Sequence, residues 1–206
     1  MTDLDSELVD RATQLADDHL FPSALGVDAS GTIPSAQLDL VRDAGFYGLF
    51  APVEFGGLGA SPATQWAVHE LLSGGCLTTS FVWAQHAGAS KAAIETTGPM
   101  RQRWADALAT GESRGGVAFA HLNRPGTPTL RAEPKDSGWE FSGSAPFVTG
   151  WGHIDVVLTA ARHKGSVVWA MLDAQDCETI SSRRLTLAAI DSAVTVELSF
   201  DQHRIN

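Results

Sequence analysis

Apolar and polar positions divide the chain into two regimes. Through the first half, hydrophobic residues return every three or four positions, the period of a helix with one buried face. Leu4, Leu8, Ala12, Leu15 and Ala16 form the first stripe, with Asp3 as its N-cap. The stripe predicts a helix ending before Phe21-Pro22, because a residue preceding proline is pushed out of the α region. A second helix opens near Pro34, turns Leu38 and Val41 inward and stops at Gly45. Residues 51–59 hold three glycines in four positions and predict a loop. Ser61-Pro62 supplies an N-cap and a first-turn proline for a helix through Leu72. Thr78 or Thr79 caps the next, over 81–95. Pro99 opens a fifth, with Met100, Trp104, Ala107 and Leu108 on one face and Gly111 at its end.

Past residue 113 the period shortens. Residues 116–121, 129–133, 139–142, 146–150, 154–161, 166–172 and 194–200 read as short strands. Turn signals separate them: Pro125-Gly126, the run Asp136 to Gly138, Gly143, and His163-Lys164-Gly165. Helices followed by many short strands predict an α+β fold, an N-terminal α-helical domain (1–113) and then a small antiparallel β-barrel or sandwich domain (114–206).

Composition narrows the classes of function. Of 206 residues, 44% are apolar and 18% charged, which is globular rather than disordered. The formal charge of −10 opposes nucleic-acid backbones and anionic membrane surfaces as main partners, since both need a basic footprint. No apolar run is long enough to span a bilayer, and the acidic N-terminus has no signal-peptide pattern. Cys76 and Cys177 make no CxxC pair, so the thiols read as reduced and the expected location is cytoplasmic, with no metal site.

Candidate chemistry is sparse. There is no nucleophile elbow, phosphate-binding P-loop, GxGxxG fingerprint or zinc-binding His pair. Thr149, His121, Asn123 and Thr127 fall at ends of expected strands, where rigid scaffolds present binding groups. Residues 121–129 hold two prolines, a glycine and two threonines, a turn able to aim N–H groups and hydroxyls at an anion or to be an ordinary solvated loop. Alternation places Phe147 and Thr149 on one strand face. An aromatic and a hydroxyl there suit a planar heteroaromatic ring, or simple core packing.

Five segments in order resemble the acyl-CoA dehydrogenase family. Residues 16–22 (ADDHLFP) are similar to the end of that family's first helix. Residues 44–59 (AGFYGLFAPVEFGGLG) match its AG…PxEYGGxG pattern. His86 and the run from Gly98 through Arg101-Gln102-Arg103-Trp104 to Glu112 resemble the helix pair leading into the β domain. Phe119-Ala120 stands where the flavin-contacting strand begins, and residues 142–149 (SGSAPFVT) match NGxKxWIT. The resemblance implies FAD as cofactor, an acyl-CoA substrate, an electron-transfer acceptor, and assembly with like or unlike subunits. It assigns Phe119, Ala120, His121, Leu122, Phe147, Val148 and Thr149 to the flavin: backbone amides to the pyrimidine edge, Phe147 beside the ring in place of tryptophan, and Thr149 near N5. It assigns Thr127 or Thr129 to the diphosphate or the acyl-CoA.

Departures from the pattern accompany the match. The family's Thr-Glu-Pro and Gly-Ser-Asp signature is replaced by residues 122–128 (LNRPGTP), and the lysine of NGxK by Ala145. In the family a C-terminal helical bundle carries the glutamate that removes the α-proton of the thioester. The expectation is therefore a fragment or short form without the catalytic base. Two alternatives stay open: a non-catalytic subunit that pairs with a fuller family member, and a flavin-dependent monooxygenase on the same scaffold.

Overall fold

The computed structural model describes residues 3–205. Six helices precede seven strands: α1 Asp3–Leu15, α2 Phe21–Ala29, α3 Ser35–Asp43, α4 Pro62–Gly75, α5 Leu77–Glu95 and α6 Pro99–Thr110. The strands are β1 Gly115–Ala118, β2 Leu130–Lys135, β3 Gly138–Val148, β4 Val156–His163, β5 Ser166–Asp173, β6 Ile180–Arg184 and β7 Val196–Ile205. The change from helix to strand falls between Thr110 and Gly115, and the architecture is the expected α+β.

Local chemistry accounts for most boundaries. Leu8, Ala12 and Leu15 are buried along α1, and Leu38 and Val41 along α3. Gly45 and Gly111 take left-handed conformations at the ends of α3 and α6. The Ser61 hydroxyl accepts the Thr64 N–H at 3.3 Å, capping α4 with Pro62 in its first turn. Residues 51–59 form a loop around a short 3-10 turn, Val53–Phe55.

Three helix expectations are corrected. The first helix does not end before Phe21-Pro22: a π-turn, Ala16–Leu20, carries it into α2 with Phe21 still in the α region. The Phe21 N–H reaches back to the Ala16 carbonyl, so the ladder is rewritten where proline donates nothing, and Pro22 falls in an opening turn. Asp3 is the first described residue of α1, and the position before it lies outside the described residues. Cys76, not Thr78 or Thr79, precedes α5; both threonines are buried in its first turn, where Thr79 donates to Cys76 Sγ at 3.2 Å.

The seven strands make one sheet in the order β1-β4-β2-β3-β7-β6, with β5 on the other edge of β4. Four pairings are antiparallel; β1 and β2 run parallel to β4. The expected strands over 139–142 and 146–150 are a single strand, β3. Gly143 is a bulge within it rather than a turn, with φ at +121° and no room for a Cβ beside the Thr129 carbonyl. β6 escaped expectation because its sequence, ISSRR, is mostly polar; it lies at the end of the sheet, where charged side chains protect an edge. The chain beyond Ala118 is not strand: Ala120–Asn123 forms a 3-10 turn, in place of the expected strand through 121.

The apolar interior has three parts. Leu8, Leu20, Phe46, Val68, Leu72 and Trp83 centre the helical core, and Phe141, Val157, Leu198 and Phe200 that of the sheet. Ala89, Ala93, Trp104 and Leu108 of α5 and α6 meet Val156 and Leu158 of β4 at the seam between them. One imidazole pins this seam. His86, fully buried on α5, donates from Nε2 to the Leu108 carbonyl of α6 at 2.9 Å. Its Nδ1 accepts the Gly115 N–H of β1 at 3.0 Å. A side chain at Gly115 would collide with Ala89 Cβ, 2.5 Å from an ideal Cβ, so the strand reaches the helix only as glycine.

Accepting the Gly115 N–H at Nδ1 requires the neutral ring, and burial pushes its pKa down to about 4 from 6.5, against the hydrogen bond to Leu108. The unfolded chain therefore binds the extra proton first. The stability this group contributes is complete above pH 6.5 and falls as pH drops toward 4, by about 3 kcal/mol. We expect the unfolding free energy of the protein to approach that of His86→Gln as pH falls from 7 to 4. Parallel denaturation curves for the two over this range would contradict the assignment.

Candidate functional site

A cavity of about 440 Å³ opens where α5, β1, the end of β3 and the segment before β7 meet. Its size is that of a small-ligand pocket. Phe81 and Gln85 line it from α5, one turn apart on one face. Val117 contributes from β1, and Phe119 and Ala120 from the chain just beyond it. Phe147 and Thr149 come from the end of β3, and Leu187, Ile190 and Thr195 from the approach to β7. No lining residue is charged.

Phe147 and Thr149 meet at the cavity as paired candidates, but not through simple alternation. β3 breaks register between Ala145 and Val148, and Phe147 takes φ of +62°. The irregular backbone turns its ring outward, 45% exposed, while Thr149 is buried. Ile190 and Val194 also have φ of +51°. An aromatic and two β-branched residues in the left-handed region each cost about 1–3 kcal/mol, and such strain persists only where surrounding contacts impose it.

Those contacts are visible. Between Ile190 and Val194 a 3-10 turn, Asp191–Ala193, reaches into the helical core, where Ala193 is fully buried. The Ser192 hydroxyl donates to the Asp28 carbonyl at 2.7 Å, and the Ser192 carbonyl accepts the Ile33 N–H at 2.6 Å. The carbonyls of Ala193 and Val194 accept the N–H groups of Gly150 and Trp151. Asp191 receives Arg184 and the Leu187 N–H. This strap bridges helices and sheet and holds the Thr195 hydroxyl 3.1 Å from that of Thr149.

The remaining candidates lie around or away from the cavity. The side chain of His121 is buried, with Nε2 donating to the Ala160 carbonyl at 2.9 Å; burial, against that hydrogen bond, lowers its pKa. The Leu122 carbonyl accepts Arg162 Nη2 at 3.0 Å, so this turn is clamped to β4. The N–H groups of Ala120 and His121 open the 3-10 turn Ala120–Asn123 and have no backbone acceptor among the described residues. Val148 is fully buried in the sheet core. Thr127 and Thr129 are exposed and do not line the cavity.

Sequence reading missed Phe81, Gln85, Val117, Leu187, Ile190 and Thr195. The α5 pair left a signal, an aromatic four positions before an amide at the start of a helix. The strap residues left none, because left-handed isoleucine and valine run against residue preference.

Fold and site together define an α+β protein with a mostly apolar ligand cavity at the junction of helices and sheet. Residues 2–112 match the family model described as acyl-CoA dehydrogenase, N-terminal domain. The chain belongs to the acyl-CoA dehydrogenase family. A 3-sulfinopropanoyl-CoA desulfinase of Variovorax paradoxus is 28% identical over 79% of this chain and 42% of its own length. The chain spans about half the length of the curated relatives it matches. A glutaryl-CoA dehydrogenase of Mycobacterium smegmatis, in complex with FADH2, superposes with a TM-score of 0.87 at 18% identity. That superposition covers 100% of this chain and 54% of the other. Butyryl-CoA dehydrogenase of Megasphaera elsdenii gives 0.86 at 18%, covering 100% and 57%. Among the described residues, no helix is long and apolar enough to cross a membrane.

The buried hydroxyl pair yields a direct test. Thr195→Val removes the partner of the Thr149 hydroxyl and is expected to lower stability by about 1–3 kcal/mol, whereas Thr195→Ser retains most of it. Urea denaturation of the three proteins measures this. Equal midpoints for the Val and Ser variants would show that the contact contributes nothing.

Proposed function

We propose that the chain forms the helical and β domains (1–113 and 114–206) of an FAD-dependent acyl-CoA dehydrogenase-like site, and that the cavity receives the flavin ring. The observation that carries this reading is the convergence of an exposed Phe147 ring and a Thr149 hydroxyl on one apolar cavity, beside Ala120, whose N–H and that of the neighbouring His121 have no backbone acceptor among the described residues. The residues fit the group: a planar apolar face, a hydroxyl at its edge and backbone donors for carbonyl oxygens. Ala120 and His121 offer their amides to the pyrimidine edge, with Phe119 and Leu122 beside them on the same clamped turn. Val148 acts from the core, by fixing the backbone between Phe147 and Thr149. Thr127 and Thr129 are assigned to a phosphate-bearing extension of the ligand outside the cavity.

When bound, the flavin supplies the two-electron oxidant for α,β-dehydrogenation of an acyl-CoA thioester. The chain's own part is to exclude water with Phe81, Val117, Leu187 and Ile190 and to orient the ring with directed donors. No lining residue carries a carboxylate or imidazole, so the base that takes the α-proton comes from outside this lining, from another segment or a second subunit. An electron-transfer acceptor and assembly with further subunits belong to the same reading. So does a cytoplasmic location, supported by two unpaired thiols.

A second reading rests on the curated relatives named 3-sulfinopropanoyl-CoA desulfinase. On that reading the C–S bond of the sulfino acyl-CoA breaks, the carbon takes a proton, the sulfur leaves with the oxygen of a water as sulfite, and no external oxidant is consumed.

Titrating the protein with FAD should quench flavin fluorescence at micromolar concentrations, and Phe147→Ala should weaken binding about tenfold, of the order of one lost aromatic contact. Failure of the folded protein to bind flavin would sink the cavity assignment. With flavin bound and the completing subunit present, bleaching by a saturated acyl-CoA supports dehydrogenation. Sulfite release from 3-sulfinopropanoyl-CoA without bleaching supports the second reading in its place.

A further inference from the structure

The cavity wall is uncharged, yet one arginine contacts a residue of the wall and another the turn that adjoins it. Arg124 lies with Cζ 5.4 Å over the Phe147 ring and does not itself line the cavity. Arg162 donates to the Leu122 carbonyl on the turn that carries the Ala120 and His121 amides. Neither arginine joins an ion pair among the described residues, in contrast to Arg42, Arg103, Arg114, Arg183, Arg184 and Arg204. Both act on the buried His121 between them: after burial itself, their charges further lower its pKa. The His121 Nδ1 is buried and has no hydrogen-bond partner among the described residues. In a chain of net charge −10, the exposed Arg124 and the half-buried Arg162 are thus two cations near one side of the cavity with no ion pair among the described residues.

An unpaired cation over an aromatic residue of the wall has a defined consequence. A neutral planar ring gains little from it, whereas a ring bearing negative charge gains a Coulomb term that an apolar cavity does not screen fully. Through Phe147 the arginine also polarises the ring a ligand stacks on.

We propose that Arg124, supported by Arg162, makes this cavity selective for the anionic over the neutral state of the ring it binds. The proposal rests on the flavin reading above and deepens it. Arg124 is a positioning and tuning residue that acts across Phe147, and the selected chemistry is the charge of the ring, not a phosphate attached to it.

Riboflavin, which has no phosphate, is the probe. Its oxidised form is neutral and its reduced form anionic at pH 8. Dissociation constants of both forms, measured anaerobically, are expected to favour the anion, and Arg124→Gln should reduce the preference about threefold. Oxidised riboflavin should bind the variant within about twofold of the parent. Arg124→Lys should restore the preference, and about 1 M salt should erase it in the parent, because screening then acts within a few ångströms. Circular dichroism confirms that the variants are folded. An unchanged anion preference in folded Arg124→Gln overturns the proposal. So does loss of a preference for riboflavin phosphate over riboflavin with the ring-charge preference intact, which would give the arginine to a phosphate. No binding of oxidised riboflavin to the parent overturns the flavin reading itself, and the charge selection with it.

Discussion

The contact between α5 and β1 is the constraint on which the rest depends. His86 makes it with two hydrogen bonds of opposite sense, which only one neutral tautomer satisfies. The same helix brings Gln85, next to His86, and Phe81, one turn before Gln85, to the cavity, and the same strand brings Val117. Packing and site are therefore set by one distance. A shift of α5 relative to β1 would open the seam of Ala89, Leu108 and Val156 and displace one cavity wall at the same time.

The other wall is built from longer range. The strap around Ser192 is tied to Asp28 and Ile33 on the helical side and to Gly150 and Trp151 on the sheet side. Ser192 sits 164 positions from Asp28, whose carbonyl it binds. Two of the joints between helices and sheet frame the cavity, a rigid imidazole bridge and an irregular segment anchored at both ends. The cavity lies between the two joints.

Much of this was legible in the sequence, for reasons that differ by element. The amphipathic helices carry a local periodic signal, and Gly45, Gly111 and Ser61 mark ends whose geometry only a few residue types satisfy. The Lys164-Gly165 hairpin was legible on the same ground. β6 was not, because an edge strand needs no apolar alternation. The π-turn at Ala16–Leu20 was not, because a widened turn leaves hydrophobic spacing nearly intact while overriding the proline rule. At the site, Phe147 and Thr149 were legible as a pair, but for an inexact reason: the sequence suggests alternation, and the backbone achieves the pairing with a break in it. The strap was invisible, since its conformation opposes what isoleucine and valine prefer in isolation.

That opposition has a consequence for how the wall can be inherited or transplanted. Phe147, Ile190 and Val194 hold their backbone angles only because a helical core, a sheet and several carbonyl acceptors surround them. Excised as a peptide or moved to another scaffold, these residues would return to extended conformations, and the wall would vanish with its sequence unchanged. The recognition surface is a property of the assembled tertiary structure and not a portable module. Its chemistry can drift residue by residue within the family, whereas its shape can change only with the parts that clamp it.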